Sequence, residues 1–517
     1  MGRRIGWLGA VMGLCFLVLF VQLNNIQIVQ AHKLATDPKN PRYVAQLNQQ
    51  KYDEPEGDIL ASDGTVLAHS VATGATGATT HKYIRNYPQG SLYAEIVGFN
   101  SISYESTGVE ASYGSFLQTH SAPIKSVRDL LVTRSLTDAV TLTVVPKIQQ
   151  AAVAALGSKT GAIVVLNPST GAILGMYSTP TFDPNPLAAL NLDTEKAAWT
   201  ADNTTNPSYE PFQKLAPLNG LNMAYQDSWP PGSTMKTITA SAAYDHDPSL
   251  VTKSYPQLGC IPPAIPAGQP PPVLPETTKP LCNFGIQYPS PPNSGCGGAI
   301  AAMLPPSCDT GFALVGLDLG AQKLNAEATS FGFNQQPPID LPHSTFQVSI
   351  FPTQKTLEQN IPFQAYSAIG QEDVQATPLQ MALVASAFAN RGVIMTPHVM
   401  AEIDDSDGNV VSKYSPAQWL RATSPATAAA LTGLMQSVVT GGTANPVGFN
   451  PADNVAAKTG TAQTGHGTID AWMIAFAPAN NPKVAVAVVI PDSPLDQTGA
   501  QYAGPVMRQM ITAALGQ

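Results

Sequence analysis

The chain opens with an apolar run, Ile5 to Leu23, directly behind Arg3 and Arg4 and interrupted by a polar side chain only at Gln22. These nineteen residues, at about 1.5 Å of helical rise each, can cross a bilayer core of about 30 Å. The paired arginines hold the N-terminus in the cytoplasm. A cleaved signal peptide ending at Val29-Gln30-Ala31 is the competing reading, but the run is longer than the roughly 7–15 apolar residues such peptides use. Either way the rest of the chain lies outside the cytoplasm.

Behind that run the pattern changes. From 29 to 137 it reads as short strands and Gly/Thr-rich turns, such as Val71-Ala72-Thr73-Gly74-Ala75-Thr76-Gly77. Val140 to Val144 alternates as a strand, Pro146 to Leu156 reads as a helix, and Gly161 to Leu166 as a fully buried strand. Late in the chain, Lys458 to Gln463, Ala471 to Ala477 and Lys483 to Ile490 form three apolar or alternating stretches. A polar turn, Thr464 to Asp470, and Asn480-Asn481-Pro482 separate them, so they predict three antiparallel strands with tight connections. Ala503 to Leu515 predicts a closing helix. Twelve prolines between Pro256 and Pro292 predict a surface insertion without regular structure.

Composition narrows the class. A chain of 517 residues is too long for one ordinary domain. It is acidic, with net charge −9 and only 26 lysines and arginines, and no basic run suggests nucleic acid. Its eight histidines are scattered and form no metal-ligand spacing, so neither a metal nor another cofactor is expected. Cys15 lies in the apolar run, while Cys260, Cys282, Cys296 and Cys308 share one stretch, as an oxidising compartment allows. Three pairings are open. Sequence neighbours give Cys260–Cys282 and Cys296–Cys308.

Three short motifs carry chemistry. Ser233-Thr234-Met235-Lys236 is S-x-x-K and Lys458-Thr459-Gly460 is K-T-G, with Ser307-Cys308-Asp309 between them, nearly S-x-N. S-x-x-K alone is weak, arising by chance roughly once in a chain of this size. Its context, Trp229-Pro230-Pro231-Gly232, breaks the preceding chain and lets a helix start at the serine. Lys236 is then on the serine's helical face, within reach of its hydroxyl. K-T-G on an edge strand can present a cation and hydroxyls to a carboxylate, with Gly460 admitting a ligand backbone.

The chain resembles the class B penicillin-binding proteins, most closely the penicillin-binding protein A type. Gly57-Asp58-Ile59, Asp63 to Ser70, Tyr87 to Ala94, Ser106-Thr107-Gly108-Val109-Glu110, Gly161 to Gly171, Ile369-Gly370-Gln371 and Thr377 to Ala382 carry the likeness beside the motifs. The resemblance implies an α+β fold with three parts: a cytoplasmic tip and transmembrane anchor over 1–28, a small mostly-β pedestal over 29–137, and a serine-transpeptidase domain over 138–517. In the last, a five-stranded antiparallel sheet is flanked by helices. It implies a D,D-transpeptidase that cross-links peptidoglycan stem peptides through an acyl-enzyme and is inhibited by β-lactams. Ser233 is the nucleophile and Lys236 its base, with Ser307 relaying protons between Lys236 and Lys458. The N–H groups of Ser233 and Thr461 form the oxyanion hole. Thr459, Gly460, Thr461 and Lys458 hold the donor's terminal carboxylate. A membrane glycosyltransferase of the SEDS type is the implied partner.

Some positions depart from the family pattern. Asp309 replaces Asn, and an ionised Asp accepts hydrogen bonds but cannot donate them. Glu56 stands where Arg often precedes Gly57, Met223 where Arg commonly follows Asn222, and Pro305-Pro306 precedes Ser307. A secreted β-lactamase would need neither anchor nor pedestal, and four residues before the span leave no room for a sensor's signalling part. A catalytically weak penicillin-binding scaffold is the remaining alternative.

Overall fold

A computed structural model describes residues 52–74, 81–121, 135–202, 222–264, 272–291, 294–343 and 346–516, with a few single positions before residue 23. The anchor expected over 1–28 therefore lies largely outside the described residues, among which no helix is long and apolar enough to cross a membrane. The chain divides into two compact units, residues 1–56 with 70–84 and residues 57–69 with 85–517. In the first, Tyr52 is buried, its ring 4.9 Å from that of His81, and its carbonyl accepts from Lys82 N–H at 2.9 Å.

The second unit carries the catalytic motifs. Its frame is a five-stranded, wholly antiparallel sheet. Helix α1 (Pro146–Leu156) leads into strands β1 (Gly161–Leu166) and β2 (Ile173–Thr179). Helices α2 (Lys236–His246), α3 (Asp309–Ser330, kinked at Gly320), α4 (Pro378–Ala389) and α5 (Pro425–Gly441) follow. Strands β3 (Ala456–Gln463), β4 (Thr468–Ala477) and β5 (Val484–Pro494) and helix α6 (Gly499–Ala514) complete the frame. The order across the sheet is β3-β4-β5-β1-β2, so the K-T-G strand is an edge, as its sequence predicts. β1 is buried at every position and β4 at all but its first, because helices cover both faces of the sheet. α4 packs across β1, β4 and β5, while α1 and α6 pack on each other and on the sheet.

Two expectations need correcting. The closing helix begins at Gly499, four residues before Ala503, because Thr498 and Gln501 form a capping box that starts it early. The proline-rich stretch does hold regular pairing. Tyr255–Leu258 pairs with Cys296–Gly298, and Cys260–Ile261 pairs with Leu281–Cys282, all antiparallel. Disulfides Cys260–Cys282 and Cys296–Cys308 staple these ladders. Pro256 is tolerated because its strand belongs to a two-stranded ladder and is therefore an edge. Ile261, Leu274 and Leu281 form a small buried patch beneath.

Two buried charged groups stand apart from the catalytic motifs, Arg85 and Glu95. Arg85 is buried, with its Nε donating to Glu110 at 2.7 Å and its Nη1 to the Gly57 carbonyl at 2.8 Å. Glu95 is buried, its Oε1 accepts from Ser178 N–H and hydroxyl, and its Oε2 has no hydrogen-bond partner among the described residues. Burial holds this carboxyl well above the ordinary range, against the opposing Ser178 bonds. The unfolded chain ionises Glu95 near about pH 4.3, before the folded one does, so its contribution to stability falls as pH rises above that value. Glu95→Gln is expected to raise the melting temperature at pH 8 and to leave it unchanged near pH 4. Equal melting of variant and wild type at pH 8 would rule this account out.

Candidate active site

The serine turn is built by the residues before it. Gly232–Met235 forms a single 3-10 turn and α2 continues from Lys236, so Ser233 sits at the mouth of the helix. The turn is locked from below. Gly232 N–H donates to the Gly370 carbonyl at 2.9 Å, and Gly370 has φ of 76°. A side chain at Gly370 would also meet the Gly232 carbonyl at 2.2 Å, so only glycine fits. The K-T-G glycine has a similar reason. A methyl at Gly460 would lie 2.7 Å from the Pro231 carbonyl and 3.0 Å from Thr234 Cγ2. Its bare face admits the serine turn against β3.

Ser307 arrives from another direction. It follows the short helix Ile300–Met303 in the left-handed region, φ 62°, and its N–H closes on the Leu304 carbonyl at 3.1 Å. The Pro305 carbonyl accepts from Thr443 N–H at 3.0 Å, which ties this turn to the end of α5. The result is one polar chain. Lys458 Nζ donates to Ser307 Oγ at 2.7 Å, and Lys236 Nζ reaches the same oxygen at 3.3 Å and the Ser307 carbonyl at 2.7 Å. Lys236 Nζ also makes an ion pair with Asp309 Oδ1 at 2.6 Å. None of the hydrogen bonds of Lys236 goes to Ser233.

Both lysines are fully buried. Burial pushes the Lys458 amine well below the ordinary lysine range, the Lys236 charge pushes the same way, and Asp309 opposes. Burial also lowers Lys236, with the charge and hydrogen bond of Asp309 opposing. Of the two amines, Asp309 therefore favours the proton on Lys236.

Ser233, Ser307, Asp309, Thr459 and Thr461 line one cleft of about 1050 Å³. Lys236 and Lys458 lie beneath its floor. Thr461 Oγ1 accepts from Gly499 N–H at 3.0 Å, leaving its own O–H free to donate into the cleft. Thr459 Oγ1 shares a 2.6 Å hydrogen bond with Thr443 Oγ1. Sequence reasoning missed Thr443, whose Gly441-Gly442-Thr443 context reads only as a helix end. It also missed the wall made by the proline-rich stretch, where Lys279 to Ile286 lines the same cleft. Asp309 Oδ2 accepts from Phe284 N–H in that wall, at 3.1 Å. Among the described residues no cluster could hold a metal ion.

This arrangement can activate a hydroxyl beside two amines and receive a carboxylate, and known proteins match it closely. The family description "Penicillin binding protein transpeptidase domain" matches residues 161–254 and 296–512, and "Penicillin binding protein A dimerisation domain" matches 56–138. This chain belongs to the penicillin-binding protein transpeptidase family. Among its relatives is the Peptidoglycan D,D-transpeptidase PbpA of Mycolicibacterium smegmatis, 35% identical over 98% of this chain and 97% of the relative. The Mycobacterium tuberculosis protein of the same name is 34% identical over 98% of this chain and 97% of its own length. The solved imipenem acyl-enzyme of M. tuberculosis penicillin-binding protein A has a TM-score of 0.75 and 32% identity, covering 90% of this chain and 100% of that one. Within this penicillin-binding protein, residues 255–295 fall between the two matched transpeptidase segments.

Proposed function

We infer that this penicillin-binding protein is a peptidoglycan D,D-transpeptidase that works through a Ser233 acyl-enzyme and is inhibited by β-lactams. The observation that carries this is the Ser307 hydroxyl, which lies between two buried lysine amines in the cleft that Ser233 lines. The D,D-transpeptidase relatives and the solved imipenem acyl-enzyme of M. tuberculosis penicillin-binding protein A support the same reading.

The proton path follows from the burial of the amines. Two desolvated cations this close repel, so one proton serves the pair. At rest Asp309 keeps it on Lys236. Passing that proton through the Ser307 hydroxyl to Lys458 leaves Lys236 neutral. Lys236 then takes the Ser233 proton as Oγ attacks the carbonyl between the two D-alanines of a donor stem. The N–H groups of Ser233 and Thr461 hold the oxyanion, each worth about 2.7–4 kcal/mol of barrier. The C–N bond breaks, and the Lys458–Ser307 relay gives the leaving D-alanine its proton. An amine of a neighbouring stem attacks the ester in its turn. Its proton returns to the pair and Ser233 is released as a hydroxyl. Lys458 with the Thr459 and Thr461 hydroxyls receives the donor's terminal carboxylate.

Residues 1–28 are proposed to anchor the chain by a single span, with a pedestal over 29–137 and the transpeptidase domain over 138–517 outside the cytoplasm. Such an enzyme needs glycan made by a partner, for which a SEDS-type membrane glycosyltransferase is the proposed source. The Lys236–Asp309 ion pair favours a second reading, a catalytically weak scaffold, because it occupies the base at rest. A fluorescent penicillin separates the readings. Stoichiometric labelling that persists for many minutes is the expected result. No labelling would favour the scaffold, and rapid loss of label would indicate a β-lactamase.

A further inference from the structure

We propose that Asn283 is a positioning residue of acyl transfer, which holds Asp309 against Lys236 from the disulfide-stapled segment that lines the cleft. The inference rests on the acyl-enzyme reading above and concerns a residue outside the matched transpeptidase segments.

Helix α3 begins at Asp309, and its N-cap residue, Cys308, makes no side-chain cap bond. The sulfur of Cys308 is committed to Cys296. The first N–H groups of the helix would then lack partners. Asn283 supplies one from outside the helix. Its Oδ1 accepts from Asp309 N–H at 2.8 Å and from Thr310 N–H at 3.1 Å. The amide end is held in the opposite sense, with Nδ2 donating to the Leu258 carbonyl at 2.7 Å. Asn283 N–H donates to the Gly259 carbonyl at 2.9 Å. Acceptor faces donors at one end and donor faces an acceptor at the other, so one orientation of the amide satisfies every partner. The next residue, Phe284, donates its N–H to Asp309 Oδ2. Asn283 and Phe284 thus grip both the backbone and the carboxylate of Asp309, and the other oxygen, Oδ1, holds Lys236.

The grip is itself tethered on both sides. Cys282, beside Asn283, is bonded to Cys260, and Cys308, beside Asp309, is bonded to Cys296. A loosened Asp309 would weaken its hold on the Lys236 proton. The charged and titratable groups around that proton are Asp309 on α3 and Lys458 on β3, with Lys279 and Glu372 at the cleft wall. Burial pushes Asp227 up to about 6 and Asp470 to about 7, so these also titrate near neutrality. They are common to every chain compared below and cancel.

The test is the pH dependence of acylation by a fluorescent penicillin, measured on the full chain with both disulfides intact. Wild-type acylation should rise with pH as Lys236 loses its proton. Asn283→Ala should move the midpoint down by about half a pH unit or more, since an opposite charge held less closely raises an amine less. In an Asp309→Asn background the same substitution should move the midpoint no further. Asn283→Ser keeps a short acceptor and should give a smaller shift in the same direction. Should the alanine variant fail to fold, the serine variant carries the test alone. A uniform loss of rate at unchanged midpoint would show a merely structural role and overturn the proposal. So would a shift that persists without the Asp309 carboxylate. Failure of the wild type to acylate at all would instead overturn the acyl-enzyme reading.

Discussion

Ser233→Ala should abolish covalent labelling by penicillin at every pH, a loss of at least about 10⁴-fold in acylation rate. The size of the effect follows from the absence of a substitute. Thr234 is adjacent in sequence but fully buried, its hydroxyl spent on the Pro231 carbonyl at 2.7 Å. The Ser307 hydroxyl is held between two lysine amines on a left-handed turn. Thr461 donates from a strand whose backbone N–H is assigned to the oxyanion. Intact-mass measurement after incubation with penicillin checks the prediction. An adduct of one penicillin per chain in the variant would show a different nucleophile and sink the mechanism.

Asp309→Asn should speed acylation at pH 7 by more than about tenfold, a barrier lowered by about 1.4 kcal/mol or more. The carboxylate is 2.6 Å from Lys236 Nζ and opposes the lowering that burial imposes on that lysine. Removing its charge leaves burial unopposed, so Lys236 is neutral at lower pH. The sign is therefore fixed: wild-type acylation climbs with pH where Lys236 deprotonates, and the variant should reach its plateau earlier. An asparagine amide would keep the acceptor toward Lys236 and place a donor where Oδ2 now accepts from Phe284 N–H. That donor would face the Phe284 N–H, which then loses its acceptor. Stopped-flow acylation across the pH range decides the matter, and a large loss of rate in Asp309→Asn would show that the carboxylate itself is required.

Long, strongly patterned elements were legible before any coordinates. The apolar stretches Gly161–Leu166, Ala471–Ala477 and Val484–Ile490 announce themselves because burial on both faces leaves no room for polar residues, while the ladder carries the last two strands on to Thr468 and Pro494, through residues that read as turn or lie beyond the run. Helix Pro146–Leu156 has the expected bounds because a proline at its first position and Gly157 just beyond its end punctuate it. The capping box that starts the last helix is a short-range signal too. Gly499 at the first helical position argues against a helix start there, and packing of α6 on β4 and β5 overrides it.

The sequence by itself determined the reactive groups and their order along the chain. Serine, lysine, serine and lysine at 233, 236, 307 and 458 are covalent facts, and local propensity places the first pair on one turn of helix. Only the tertiary structure decided which proton acceptor each group meets. Lys236 turns to Asp309 and Ser307, and Gly460 packs against the serine turn. Asn283, a residue in a proline-rich stretch, completes the helix that carries Asp309. Those contacts join segments from tens to more than two hundred positions apart. Neither periodicity nor propensity carries information over such distances, since both are set by the backbone within a few residues. Disulfides and the close approach of strand, turn and helix set the distances and the dielectric in which the two lysines share a proton.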